Sequence, residues 1–241
     1  MRAVSDALSS AAAELAGASA EQVLGWAERR FGATAAIASS FGLEDVALIH
    51  LARKVAPSIR IFTLDTGRLP PETYELMDRL RLKLDVEIET WFPEASRVEA
   101  LVRQKGFLSF RESIENRKEC CTIRKVEPLR RALAGKAAWI TGLRREQSPT
   151  REHVPEVEVD RDHGGLWKLN PLAAWTTAQV WDYVKANKVP YHPFHDQGFP
   201  SLGCAPCTRA VKPGEPLRAG RWWWESPEHK ECGIHLPEPK P

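Results

Sequence analysis

The sequence predicts an α/β protein with a mostly parallel sheet flanked by helices. Three observations carry this. Apolar strand-like segments alternate with helical ones in β-α-β-α order, at the spacing of crossover units. Polar or glycine-bearing turns follow three of those strands, at Ser39-Ser40, Asp65-Thr66-Gly67 and Thr141-Gly142, and ligands in such sheets sit at the carboxyl ends of the strands. The chain has 241 residues, enough for a sizeable core that needs no metal or disulfide merely to hold a minimal fold together.

Residues 4–31 place Val4, Leu8, Ala11 and Leu15, then Val23, Leu24, Trp26 and Ala27, at helical spacing broken by Gly17 and Ser19. This predicts two short helices, read as a lid or interface. Residues 34–40 form a buried strand, and Phe41-Gly42 turns it into a helix that starts near Leu43 and runs towards Ala52. A second strand over 59–64 runs into Asp65-Thr66-Gly67, and Pro70-Pro71-Glu72 opens a helix through Leu82. Residues 86–91 and 137–142 give the third and fourth strands, with helices around 95–105 and 124–134 between them. The charged stretch that follows, up to Gly165, reads as an exposed loop or hairpin. A further helix then turns Trp175, Val180, Trp181 and Val184 to the core. From Val189 onward a Pro/His/Gly-rich coil carries Cys204, Cys207, the Trp222-Trp223-Trp224 run and a Pro-rich end.

Charge excludes some functions. With 34 Lys and Arg against 32 Asp and Glu, the net charge is +2, too balanced to attract nucleic acid or a membrane surface globally. No apolar run approaches the roughly 18 residues that span a bilayer. The N-terminus lacks a basic segment followed by an apolar core, so the chain reads as cytoplasmic. Five cysteines in a reducing compartment favour metal binding or catalysis over disulfides.

Cys120-Cys121 cannot close a disulfide without strain, and Cys204-Ala205-Pro206-Cys207 has metal-ligand spacing. The four thiols suggest one tetrahedral-thiolate site, for zinc or an iron–sulfur cluster, and the adjacent pair favours the cluster. Inert buried thiols or a redox pair are the bland alternative. Cys232 is left over, either a spare thiol or a nucleophile activated by cations such as Lys230, Arg218, Arg221 and His235. Ser39-Ser40-Phe41-Gly42, at a strand-to-helix turn, offers hydroxyls and N–H groups to an anion, although an ordinary connection has the same look. Arg144, Arg145 and Arg151 carry forks suited to phosphate or sulfate, and Lys125 could link the thiols to that crevice; an exposed basic loop and a solvated lysine are the alternatives. His192 and His195, in a Pro-interrupted coil, read as structural hydrogen bonders, and Asp65 as a general base or a turn-holding carboxylate.

Several segments converge on one family: residues 39–45, 64–67, Cys120-Cys121-Thr122-Ile123-Arg124-Lys125, residues 142–148, residues 201–208 and Lys230-Glu231-Cys232-Gly233-Ile234-His235. In this order they resemble the assimilatory adenylylsulfate (APS) and phosphoadenylylsulfate (PAPS) reductases, over most of the chain from about Ser39 to His235. The resemblance implies an adenine nucleotide α-hydrolase-like (PP-loop) fold with a mobile C-terminal tail. The Ser-Gly-Gly-x-Asp-Ser loop of the related ATP pyrophosphatases is replaced here by Ser-Ser-Phe-Gly, which argues against ATP cleavage.

By the same resemblance, Cys120, Cys121, Cys204 and Cys207 are the ligands of a 4Fe-4S cluster, as in the cluster-containing, mostly APS-specific branch. Cys232 is the nucleophile that takes the sulfo group and expels AMP, and thioredoxin releases sulfite, in sulfate assimilation for cysteine biosynthesis. Lys125, Arg218, Arg221 and His235 match positions near the sulfate and phosphate. Ser39, Ser40, Gly42, Thr66, Gly67, Arg144 and Arg151 line the nucleotide site. The implied organisation is a single domain over 1–241, with N-terminal helices over 1–32, a nucleotide-binding core over 33–200, and the second cysteine pair and catalytic tail over 201–241. PAPS or dual specificity is the alternative, followed by a PP-loop ATP pyrophosphatase and a zinc-stabilised binding module. Homo-oligomerisation is left open.

Overall fold

The computed structural model describes residues 2–226 and Ile234, with side chains from Asp6 onward. Helices α1 (Arg2–Leu15) and α2 (Ala20–Phe31) come first, and Ser19 and Gln22 close α2 with a reciprocal capping box. Then follow β1 (Ala35–Ser39), α3 (Leu43–Val55), β2 (Arg60–Leu64), α4 (Pro71–Leu84), β3 (Ile88–Trp91) and α5 (Ala95–Lys105). Helix α6 (Ile114–Cys121) passes through a π-helical turn, Thr122–Val126, into α7 (Glu127–Leu133). Strand β4 (Ala138–Ile140), the hairpin β5 (Val157–Asp160) and β6 (Leu166–Leu169), and α8 (Thr177–Ala186) complete the chain's regular elements.

The six strands form one sheet in the order β3-β2-β1-β4-β6-β5, all neighbours parallel except β5 with β6. β1 leads to β2 on one side and borders β4 on the other, so the order reverses at β1. The crevice outside the strand ends at such a reversal is where an α/β sheet accepts a ligand.

Alternation along the strands divides the core. Ala35, Ile37, Ile61, Ala138, Ile140 and Leu169 face one side, where α2, α3, α4 and α8 cover them. Ala36, Phe62 and Trp139 face the other side, against Leu129, Ala132 and Leu133 of α7. A third apolar cluster joins Leu101, Phe110, Ile123 and Trp222 to Cys120, Cys204 and Cys207.

Of the loop or hairpin expected up to Gly165 the structure shows the hairpin, and its second strand, β6, runs on to Leu169, inserts between β4 and β5 and pairs in parallel with β4. One expectation is corrected. The N-terminal helices are not a lid: Ala11, Leu15, Val23, Leu24 and Ala27 are buried in the main core. Trp175 and Trp181 are half-buried against that core. No helix among the described residues is long and apolar enough to cross a membrane.

Because Leu24 is fully buried in this core, Leu24→Ala is expected to cost about 2–5 kcal/mol in urea unfolding. A detachable lid would leave the global transition unmoved.

Candidate active site

A cavity of about 460 Å³ opens at the carboxyl ends of β1, β2 and β4. The turn after β1 contributes Ser39, Ser40 and Gly42, β2 leads in Thr66, and β4 leads to Arg144 and Arg151. Lys125 comes from the π-helical turn, and half-buried Arg218 and buried Arg221 come from the C-terminal coil. Gly67, expected to line the nucleotide site, is exposed and outside the lining of this cavity, and a Cβ there would lie 3.3 Å from Arg124 Nη1. Cys232 and His235 fall outside the described residues.

Phe41, fully buried, holds a left-handed backbone (φ 59°) that turns the chain into α3. A bulky residue adopts this only where its surroundings enforce it. The two serines are already engaged: Ser39 Oγ accepts from the Phe41 N–H at 3.1 Å, and the Ser40 N–H and Oγ–H both donate to Asp45 Oδ2, at 2.6 and 2.9 Å. Burial pushes the Asp45 carboxyl up to about 6, against the lowering effect of the Ser40 hydrogen bonds. The free N–H groups at the start of α3 are thus the turn's unspent anion donors.

Arg144 differs from the sequence picture of a fork open to phosphate. Nε donates to Glu44 Oε1, Nη2 to Glu44 Oε1 and Thr177 Oγ1, and Nη1 to Glu146 Oε2 and the Trp175 carbonyl, at 2.7–3.2 Å. All five of its N–H donors are committed, so the side chain braces the wall. Arg145 turns away to Glu156 and the Val154 carbonyl, and Arg151 Nη1 donates to Gln147.

Asp65 holds its turn, accepting from the Gly67 N–H at 2.8 Å and from the Tyr74 hydroxyl at 3.1 Å. His192 is buried, accepts from the Phe194 N–H, contacts Thr73 at 3.2 Å, and is pushed down to about 4 by burial. His195 Nδ1 donates to the Phe199 carbonyl. His192 is thus engaged locally through both ring nitrogens, whereas His195 lines the crevice, with Nε2 buried and without a partner among the described residues.

Behind the crevice, Cys120, Cys121, Cys204 and Cys207 line a second cavity of about 20 Å³. Cys204 and Cys207 are set by a single 3₁₀ turn, with the Cys207 N–H donating to the Cys204 carbonyl. Cys204 Sγ also meets Thr66 Oγ1 at 3.2 Å, which ties this pair to the strand-end turn. Burial pushes the Cys120 thiol up; burial and then Cys204 push Cys207 up to about 12. Thiols so placed become ligands only when a metal centre takes the place of their protons. Among the described residues, no group of three or more His, Cys, Asp or Glu side chains is arranged around a single metal ion. The four thiols instead surround a cavity whose other walls bring Arg124, Arg221 and Trp222. Arg124 Nε, Arg221 Nε and Trp222 Nε1 are buried with no acceptor among the described residues. Four thiol donors ringed by unspent N–H groups fit an anionic, sulfur-rich group.

Lys125 and Arg221 line both cavities. Arg221 Nη1 donates to the Leu202 carbonyl, and a Cβ on Gly203 would overlap its guanidinium. Sequence reasoning missed Arg124, which donates to the Thr66 carbonyl at 2.6 Å, and the bracing role of Asp45. Arg124 stood beside the recognised Lys125, but nothing local marked which of the two enters the crevice. The half-buried Ile234 lines the crevice and packs on both smaller apolar clusters.

Comparisons with known proteins bear on the family and on the fold. The family model for the phosphoadenosine phosphosulfate reductase domain matches residues 34–210. The chain is 51% identical over 201 residues to adenosine 5′-phosphosulfate reductase of Allochromatium vinosum, covering 83% of this chain and 78% of the relative. It is 48% identical over 232 residues to the chloroplastic 5′-adenylylsulfate reductase 3 of Arabidopsis thaliana, covering 93% of this chain but 50% of that protein. Among solved structures, the phosphate complex of phosphoadenylyl-sulfate reductase from Candida auris superposes with a TM-score of 0.69 at 28% identity, covering 80% of this chain and 90% of that one. FMN adenylyltransferase of Candida glabrata, at TM-score 0.51 and 16% identity over 88% of this chain and 70% of that one, shares the fold alone.

Two outcomes follow from the wall. The raised Asp45 carboxyl favours the folded state below its ordinary 3.8, and that contribution is lost as pH rises through about 6. Wild-type unfolding free energy should therefore carry a decline of about 3 kcal/mol between pH 4 and 7 that Asp45→Asn lacks, measured by denaturant titration at each pH. Gly203→Ala should displace Arg221 and lower kcat/KM on the order of a hundredfold, measured with the wild-type melting temperature as control.

Proposed function

The chain belongs to the phosphoadenosine phosphosulfate reductase domain family, and from that premise we propose that it reduces adenosine 5′-phosphosulfate to sulfite and AMP. The observation that carries this reading is the wall shared by the two cavities: Lys125 and Arg221 border both an anion-accepting crevice at the strand ends and a nest of four thiols. The relatives named adenosine 5′-phosphosulfate reductase support the choice of nucleotide.

In this reading the Cys232 thiolate attacks the sulfate sulfur. A sulfur–sulfur bond forms, the bond from sulfur to the bridging oxygen breaks, and AMP departs with the electron pair. Lys125, Arg218 and Arg221 offset the charge that grows on the phosphate oxygens, in a crevice whose walls limit water. The start of α3 and Gly42 orient the nucleotide, while Arg144 holds α3 against the loop after β4. A protein dithiol of thioredoxin type then attacks Sγ of Cys232. Sulfite leaves with the sulfur–sulfur pair, and the second thiol of the dithiol closes a disulfide and returns Cys232 as thiolate. The dithiol thus supplies both electrons.

Cys120, Cys121, Cys204 and Cys207 would hold a 4Fe-4S cluster, which supplies a fixed charged centre beside Lys125. No step above runs through it. Phosphoadenosine phosphosulfate is the second reading for the substrate, favoured by the likeness to the Candida auris enzyme.

Sulfite release from the two nucleotides, with thioredoxin as reductant, is expected to be faster from adenosine 5′-phosphosulfate, on protein that contains iron and acid-labile sulfide. Cys232→Ser should abolish sulfite release and still bind AMP. A serine variant that turns over at the wild-type rate would overturn the assignment, and zinc without iron would overturn the cluster.

A further inference from the structure

Arg117 lies one helical turn before Cys120 on α6, and its side chain is 2% exposed. Its Nε and Nη2 donate to the two carboxylate oxygens of Glu225, at 3.0 and 2.8 Å, and the Glu225 side chain is 4% exposed. The Arg117 guanidinium also sits 4.8 Å from the Trp222 ring, while Arg221 lies 4.9 Å from the same ring. Trp222 is buried in a left-handed conformation (φ 39°), and its N–H donates to the Cys207 carbonyl. The Glu225 N–H closes the turn back onto Trp222 at 2.8 Å. The chain is thus wired at Glu225 both to the helix that carries one cysteine pair and to the turn that carries the other. It is seated again at Ile234, in the crevice wall. Cys232 lies between these points in sequence, two residues before Ile234.

A buried ion pair is a poor source of net stability, since well-packed apolar side chains of similar volume do as well. What a planar bidentate fork supplies is one orientation and one register. The left-handed Trp222 has the same meaning, because such backbone persists only where the surroundings over-determine it.

We propose that Arg117 and Glu225 are positioning residues for the reaction: their ion pair fixes the root of the catalytic tail to the cysteine-bearing helix, so the reactive thiol is delivered from a set point. This rests on the reading of Cys232 as nucleophile. Neither side chain is a sulfur donor, but Arg117 also borders the thiol cavity, so iron content is the measurement that separates the two roles.

The test uses holoenzyme, as wild type, Glu225→Gln and Arg117→Lys, the second keeping the charge without the fork. Iron content, melting temperature and AMP affinity by calorimetry serve as controls. Single-turnover mixing with adenosine 5′-phosphosulfate in the absence of reductant follows the gain of one SO₃ group on Cys232 by mass spectrometry. In parallel, iodoacetamide alkylation of Cys232 without substrate reads the tail directly. Both variants are expected to keep their iron and to bind AMP within about twofold of wild type, while the adduct forms about tenfold or more slowly and the alkylation rate changes. Wild-type adduct and alkylation rates in either folded variant would overturn the proposal. Loss of iron in step with the loss of adduct would overturn it too, since the pair would then merely support the thiolate site. A wild-type enzyme that forms no adduct would instead refute the nucleophile reading, and the alkylation arm, which needs no turnover, would still decide the clamp.

Discussion

Buried guanidinium groups without carboxylate partners set the terms for everything around them. Arg124 and Arg221, 6% and 5% exposed, donate to the carbonyls of Thr66 and Leu202 and meet no Asp or Glu among the described residues. Burial, and then the neighbouring Arg68, push Arg124 below its ordinary value, while Cys120 and Cys204 act in the opposite direction. Arg117 and Arg144, equally buried, each have a carboxylate. A cation taken out of water needs compensation, and carbonyl dipoles give only part of it. Arg124 and Arg221 both border the thiol cavity, and Arg221 borders the crevice as well, so an anionic guest in either site would supply the remainder. This is a physical reason for two sites of such different chemistry to stand back to back.

The segment from α6 to α7 makes that arrangement possible in a few residues. A regular helix would carry one face through Cys120, Arg124 and the residues beyond. The π-helical turn Thr122–Val126 widens the helix at this point, as π insertions at functional sites often do. Arg124 is left among the thiols, and Lys125 reaches both cavities. The turn after β2 meets this segment from below through the Arg124–Thr66 bond, and Cys204 meets it through the Thr66 hydroxyl. Three chain segments distant in sequence thus share one small set of contacts.

Much of this was legible because the relevant chemistry is local. Short continuous apolar runs, turns at their ends and cysteines at ligand spacing announce themselves within a few residues, as β1, β2 and the Cys204-Cys207 turn did. What stayed hidden depended on distant partners. Arg144 looked like a free fork because its partners Glu44, Trp175 and Thr177 lie far away in sequence. Strand β6 was obscured by its four-residue length and by Lys168, a buried lysine made tolerable by Glu158 at 3.0 Å on the partner strand. The periodicity of α1 and α2 revealed an apolar face, but periodicity does not say what covers it. The raised carboxyl of Asp45 follows from the closure of Gly142 over α3, which only the folded chain brings about.

The walls that Lys125 and Arg221 share carry a consequence for energetics. Two binding cavities with cations in common are not thermodynamically independent: a charge placed in one changes the potential felt in the other. Such coupling is reciprocal, so any factor by which a filled crevice tightens what the thiols hold is the factor by which the thiols' occupant tightens the crevice. Retention of one guest then becomes a function of the concentration of the other.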